Sequence, residues 1–241
     1  MKKLFILAFA LIISTSIKAQ DSEKDWSIIP RVGLNLSNLG DMDVWYGDNE
    51  KATPRTMPDF FAGAEFDYRI HPAVSVSIGA FYSRQGCHYK NYSVSEKTSQ
   101  TGVVHVEGME NQNIHLQYLN IPVMGKLHIS ESVALKAGIQ CGVYLSGNWV
   151  SDYSEMDIRN GETQNIQSTH DDSNLNWMCA KTVWSIPVGV EFEYSHVIVS
   201  ASYAIPLTGF CKSVDMLSTT GKDKISNGCN KVLSFSVGYR L

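Results

Sequence analysis

In eight segments of this chain every second residue is uncharged, and all the charged side chains fall on the other parity. The first segment sets Trp26, Ile28, Pro30, Val32, Leu34 and Leu36 against Ser27, Ile29, Arg31, Gly33 and Asn35. The second sets Phe60, Ala62, Ala64, Phe66, Tyr68 and Ile70 against Phe61, Gly63, Glu65, Asp67 and Arg69. Six more, opening at Val74, Leu119, Val133, Trp184, Val197 and Leu233, repeat the rule. A period of two belongs to strands whose successive side chains point to opposite faces. Eight strands with one wholly uncharged face predict an inside-out barrel that turns its apolar face to lipid. Each segment is about the 9–11 residues that a tilted membrane strand needs.

The connections alternate in length. Short turns fall at residues 71–72, 130–132 and 195–196, and long polar segments at 37–59, 86–115, 147–182 and 207–231. Outer-membrane barrels show this asymmetry, with short periplasmic turns and longer outer loops. The predicted fold is therefore all-β: an eight-stranded antiparallel up-and-down transmembrane barrel with four long extracellular loops. Pro122 and Pro187 sit inside two of the strands and predict a bulge or a local break, because proline removes a ladder hydrogen bond. Trp26, Tyr68, Tyr194 and Tyr239 near the turn ends, with Tyr82, Trp184 and Tyr203 near the other, are placed for two interfacial aromatic girdles.

Lys2 and Lys3, the apolar run Leu4 to Ile13, and Ile17-Lys18-Ala19 before Gln20 read as a secretory signal. The expected organisation is a signal peptide over 1–19 and one barrel domain over 20–241. Without the signal, 17 basic side chains face 24 acidic ones, a net charge of −7. That balance lacks the clustered Lys and Arg of a nucleic-acid binder.

Export permits disulfides. Of the five cysteines, Cys211 and Cys229 flank one long segment and form a candidate bridge, while Cys87 and Cys179 lie past strand ends on one side. Cys141 falls on the apolar parity. No CxxC occurs, and no metal or cofactor is expected.

The inward charges are the candidate site. Arg31, Arg69, Lys126, Lys136 and Arg240 stand against Glu65, Asp67, Glu191 and Glu193, nearly all in the turn-side half. Charges in a confined lumen are costly unless paired, and an eight-stranded barrel is just wide enough to be filled by side chains. These residues predict an ionic network and a plugged lumen, with an outer half that is mostly small and polar.

No catalytic residues are assigned. The seven histidines lie mostly in turns or long segments, and no Gly-x-Ser-x-Gly occurs. The Asp41 to Asp48 segment lacks the fixed acids and terminal Glu of a calcium loop. The third long segment carries Asp152, Glu155, Asp157, Glu162, Asp171 and Asp172 against Arg159 and Lys181. It reads as a solvated surface, with weak divalent-cation binding as the alternative.

Ala19-Gln20, Gly33-Leu34-Asn35-Leu36-Ser37, Tyr118-Leu119-Asn120-Ile121-Pro122 and the closing Phe235-Ser236-Val237-Gly238-Tyr239-Arg240-Leu241 carry a resemblance. The chain resembles the small outer-membrane barrels called PorT or "porin family" barrels, similar in fold to OmpA and OmpX. The resemblance implies an outer-membrane location in a Gram-negative cell and supplies no catalytic motif. Such barrels often end in Phe, read by the insertion machinery, where this chain has Leu241. The expected role is a non-enzymatic structural or binding scaffold acting through the loops. Its expected partners are lipid, lipopolysaccharide, the insertion machinery and an unidentified extracellular or envelope protein. A monomer is expected. The alternatives are a narrow passive channel and a PorT-like accessory role in protein secretion.

Overall fold

The computed structural model describes residues 25–40, 42, 44–46, 50–97, 103–159, 162–211, 214–218, 221–225 and 228–241. The expected signal peptide over 1–19 lies outside the described residues, as do Asp41, Asp43 and Asp48 of the acidic segment. In chain order the strands are β1 (Trp26–Gly40), β2 (Val44–Tyr46), β3 (Glu50–Ala52), β4 (Arg55–His71), β5 (Val74–His88), β6 (Tyr92–Lys97) and β7 (Val103–His128). They continue with β8 (Val133–Arg159), β9 (Glu162–Asn174), β10 (Thr182–Tyr194), β11 (Val197–Pro206), β12 (Val214–Ser218), β13 (Gly221–Ile225) and β14 (Cys229–Tyr239).

Eight of these close a ring in the order β1-β4-β5-β7-β8-β10-β11-β14. Every neighbouring pair is antiparallel, and β14 returns to β1 from Arg31↔Gly238 to Gly40↔Cys229. A closed ring satisfies each backbone group without an edge, which a strand-built membrane crossing requires. Among the described residues no helix is long and apolar enough to cross a membrane.

The parity rule holds on the ring. Val32, Leu34, Phe66, Ile78, Val123, Leu135, Val190, Val199, Phe235 and Val237 all stand exposed on the outside. Their neighbours Arg31, Asn35, Asp67, Ser77, Glu191, Ser200 and Ser236 are buried inside. Two inward phenyl rings, Phe61 and Phe81, meet edge to face at 5.9 Å. Glycine gives them room: a Cβ on Gly33 would lie 2.5 Å from the Phe61 ring, and one on Gly63 2.7 Å from the Phe81 ring.

The prolines interrupt the ladder without shifting it, so of the two expected outcomes the local break forms and the bulge does not. Between β5 and β7 the pairing steps from Ile78↔Val123 to Phe81↔Asn120 past Pro122. Between β8 and β10 it steps from Ser185↔Gln140 to Val188↔Ala137 past Pro187. On its other side each proline stays paired, as Pro122↔Gln140 and Pro187↔Ala204. Each ring thus costs pairing on one flank only.

The larger correction concerns the long segments 86–115 and 147–182. Much of their length is strand. β7 and β8 run for 26 and 27 residues, and with β6 and β9 they build a four-stranded antiparallel extension in the order β6-β7-β8-β9. Its upper rows lie beyond the lipid band. Neither face needs an apolar stripe there, so the parity rule that reveals the barrel is silent.

Candidate functional site: the lumen and the outer sheet

The ring strands carry the predicted inward charges to one level of the lumen. Arg31 from β1 meets Glu65 of β4 through Nε at 2.9 Å and Glu191 of β10 through Nη2 at 2.8 Å. Lys126 from β7 pairs with Glu65, with Asp67 at 3.0 Å and with Glu191 at 3.2 Å. Lys136 from β8 reaches Glu191 at 2.9 Å and donates to Ser200 at 3.2 Å. Arg240, just past β14, donates from Nε and Nη2 to the two carboxylate oxygens of Glu193 at 2.6 and 2.8 Å and from Nη1 to Asp67 at 3.2 Å. Arg31, Glu65, Asp67, Lys126 and Glu191 are each at most 5% exposed.

Arg69 is the exception. It is exposed and lines a vestibule of about 390 Å³ at the turn end, beside Asp25, Glu131 and Glu193. Its pair Arg69↔Ser75 lies at the last step of regular pairing before the turn, where water solvates the guanidinium. The network is therefore four cations against four carboxylates rather than the expected five against four.

Above the charges lies a small cavity of about 90 Å³ lined in part by Asn35, Ser83, Gln85, Asn120 and Ser234. Asn35 donates to Ser83 at 2.9 Å and accepts from Ser234 at 2.8 Å. This belt holds the expected small polar side chains only in part, since Phe61, Phe81 and Met124 line the same cavity. The level above it is apolar. Leu39, Cys87, Ile114, Leu116 and Tyr118 from the ring strands pack with Met42, Leu175, Met178, Cys179, Phe210 and Cys211 from the connecting segments in one buried apolar cluster. Tyr89 joins it, stacked on Trp149 at 6.0 Å and donating to the Met42 carbonyl at 2.7 Å. A signal was present in the sequence: 114, 116 and 118 continue the inward parity of Asn120, Met124 and Lys126, and there the inward residues turn apolar.

Cys87, Cys179 and Cys211 lie in this cap, and Cys141 stands apart on the outward parity of β8. The cross-strand partner of Cys211 is Cys179, in an isolated antiparallel bridge, while Cys229 pairs with Gly40.

On the outer sheet the strand register joins residues that are distant in sequence. His105↔Asp157 and Glu107↔Glu155 are successive same-face pairs of β7 and β8. His105 Nδ1 lies 2.7 Å from Asp157 Oδ1, and its Nε2 lies 3.4 Å from Glu107 Oε1. Tyr153 donates to Glu155 at 2.6 Å, which pushes its phenol up to about 12. Across β8 and β9, His170 Nδ1 lies 2.6 Å from Asp152 Oδ1, and Asn111 donates to the other oxygen at 2.7 Å. Each carboxylate raises its histidine above the usual value, chiefly by the hydrogen bond. Asn111 has φ 52°, in the left-handed region where Asn is tolerated. Of the acids noted in the third long segment, Glu155, Asp157 and Asp152 find these partners. Nothing local to His105 or Glu107 in the sequence marks the pairing.

The model of the outer membrane protein beta-barrel domain matches residues 18–211. The chain belongs to that family. It is an outer-membrane protein of a Gram-negative bacterium, built as an eight-stranded barrel. Its turn end is then periplasmic and its outer sheet extracellular.

The chain is also similar, at low identity, to several solved structures. The attachment invasion locus protein Ail of Yersinia pestis is 12% identical, with 90% of this chain and 99% of that one covered and a TM-score of 0.39. Neisserial surface protein A is 12% identical, with 92% and 100% covered and a TM-score of 0.41. Outer membrane protein W of E. coli is 11% identical, with 91% and 100% covered and a TM-score of 0.33. No curated protein matches the sequence.

Proposed function

We propose that this outer-membrane barrel is a non-enzymatic scaffold with a plugged lumen, and that its extracellular sheet holds a partner. The observation that carries the reading is strand length. β7 and β8 run for 26 and 27 residues, where a bilayer crossing uses about 9–11. More than half of each strand stands clear of the lipid, braced by β6 and β9. Rigid scaffolds commonly present binding surfaces in this way. The buried ion pairs and the apolar cap support the plug, as does a ring of eight strands, whose interior side chains can fill.

The partner is an extracellular or envelope protein. Lipid and lipopolysaccharide contact the outer belt of Val, Ile, Phe and Tyr, and the insertion machinery acts on the closing strand β14. The barrel works as a monomer, and its acidic balance leaves no role for nucleic acid. A photo-crosslinker at Thr169 on β9 in intact cells should capture one discrete protein, while one at Ser130 in the periplasmic turn should not. Capture only from Ser130 would move the binding surface to the periplasm. Conductance in planar bilayers well above background would overturn the plug.

The finer resemblance to PorT adds a second reading, an accessory role in secretion. The charged periplasmic vestibule around Arg69 and Arg240 is the feature that would serve it. Unchanged export of other proteins after gene deletion would remove that role.

A disulfide from Cys211 to Cys229 belongs to the same proposal, as a covalent staple of the cap made by exchange with an oxidising periplasmic thiol–disulfide carrier. Cys179 is the competing partner. Peptide mapping without reductant distinguishes the two pairs.

A further inference from the structure

We infer that His105, Glu107 and Glu155 form a divalent transition-metal site of the zinc class on the extracellular sheet. Three features of the arrangement point to it. The first is convergence. One ligand atom from each residue lies within 4.8 Å of the others. Tetrahedral ligands at about 2.0–2.1 Å from zinc stand about 3.3–3.4 Å apart by geometry, and His105 Nε2 already lies 3.4 Å from Glu107 Oε1.

The second is the set of outer partners. Metal-bound histidines give their other ring nitrogen to a carboxylate, and bound carboxylates are themselves hydrogen-bonded. Here Asp157 holds His105 Nδ1 at 2.7 Å, leaving Nε2 to face Glu107. Tyr153 holds Glu155 at 2.6 Å. The groups that would orient ligands are in place on the same face of β7 and β8.

The third is the repulsion that a cation would relieve. Glu107 and Glu155 are direct cross-strand partners, and like charges directly opposite destabilise a sheet. A divalent ion between them turns that repulsion into ligation and ties β7 to β8 far from the membrane. One imidazole with two carboxylates suits zinc better than calcium, which takes six to eight oxygens. Water completes the shell.

The test uses the untagged, full-length barrel refolded in detergent without lipopolysaccharide, stripped with chelator and titrated with Zn²⁺ in a calorimeter. One equivalent should bind. Glu107→Gln with Glu155→Gln should remove that equivalent, and Asp157→Asn should weaken it by about 10–100-fold, as loss of an outer partner does. His170→Gln, in the other His–Asp pair, should leave it unchanged. Zinc should also slow amide hydrogen exchange at residues 104–108 and 154–158 in the parent protein. The heat-modifiable gel shift confirms that each variant is folded, and His105→Gln replaces the double variant if that fails to fold. Absence of a bound equivalent, or its persistence in the folded double variant or in His105→Gln, overturns the site. Equally tight Ca²⁺ overturns the zinc class.

Discussion

The two halves of the lumen are both buried, by opposite chemistry. The periplasmic half holds Arg31, Lys126, Lys136 and Arg240 against Glu65, Asp67, Glu191 and Glu193. The extracellular half holds Leu39, Ile114, Leu116, Tyr118 and Phe210. The difference follows how each half is built: the charged half comes from ring strands and the residue just past β14, while in the apolar half ring-strand residues meet residues of the connecting segments. Ring strands fix side chains in register, and buried ions repay their lost hydration only at accurate geometry. Connecting segments such as those bearing Leu175, Met178 and Phe210 place side chains less strictly, and apolar packing tolerates that. The barrel puts its demanding contacts where the backbone is stiffest.

Glu191→Ala should show the larger loss. It leaves Lys136 without the carboxylate it meets at 2.9 Å and removes one partner each from Arg31 and Lys126. Breaking a buried pair in this way costs about 3–5 kcal/mol. Leu116→Ala, in the cap, should cost about 2–5 kcal/mol through the cavity it leaves. Denaturant unfolding followed by the gel shift measures both. The two residues share no partner, so the double variant should lose the sum. A coupling well above about 0.5 kcal/mol would show that the halves are one unit, and the contrast between them would fail.

The outward face gives a smaller effect and a correction. Asp at Val190, on the lipid parity, with Asp at Gly189 as the tolerated neighbour, is the test that alternation alone suggests. The structure rejects the second half. A Cβ on Gly189 would stand 2.3 Å from the Ala201 carbonyl oxygen and 2.7 Å from the Ser202 side chain, so any side chain there is strained. Ser202, which lines the lumen cavity, is the sound comparison. Val190→Asp should cost up to about 2 kcal/mol, below the cost of a basic residue at mid-bilayer. Ser202→Asp should cost less. Equal losses would sink the assignment of faces.

Legibility in the sequence tracked how strongly each region's surroundings constrain it. Lipid on one side and a crowded lumen on the other made Trp26 to Leu36 unmistakable, and gave strand count, orientation and eight of nine inward charges. Arg69 misled because parity says which way a side chain points and not how far along the strand water begins. The cap was half visible, in the inward run Ile114, Leu116 and Tyr118. Its other half, Phe210 and Met178, arrives by loop paths that no periodicity records. The outer sheet was least legible. Its strands meet water on both faces, so His105 and Asp157 announce nothing until the register pairs them.

That sheet also supplies a solvent-facing ion pair that contrasts with the buried ones. His170 on β9 faces Asp152 on β8, with Asp171 and Asp172 nearby and Asn111 of β7 sharing the Asp152 carboxylate. The hydrogen bond to Asp152 raises the histidine above its usual 6.5. Folded protein therefore holds this proton more tightly than unfolded chain, and the resulting stability is complete below 6.5 and lost as pH rises through the raised value. Asp152 is lowered in turn, chiefly by His170, so its share is present above its usual 3.8 and lost as pH falls through the lowered value. The pair thus supports the β8–β9 contact in mildly acid conditions and releases it on the alkaline side. His170 is exposed and Asp152 only half-buried, so the effect should be only a few-fold. Amide hydrogen exchange over residues 162–174, corrected for the intrinsic pH dependence, should quicken a few-fold between pH 6 and 8, and His170→Gln should flatten the response. Cap amides at Ile114 and Leu116 should not follow it. If they quicken equally, the change is global and the local reading of the pair is wrong.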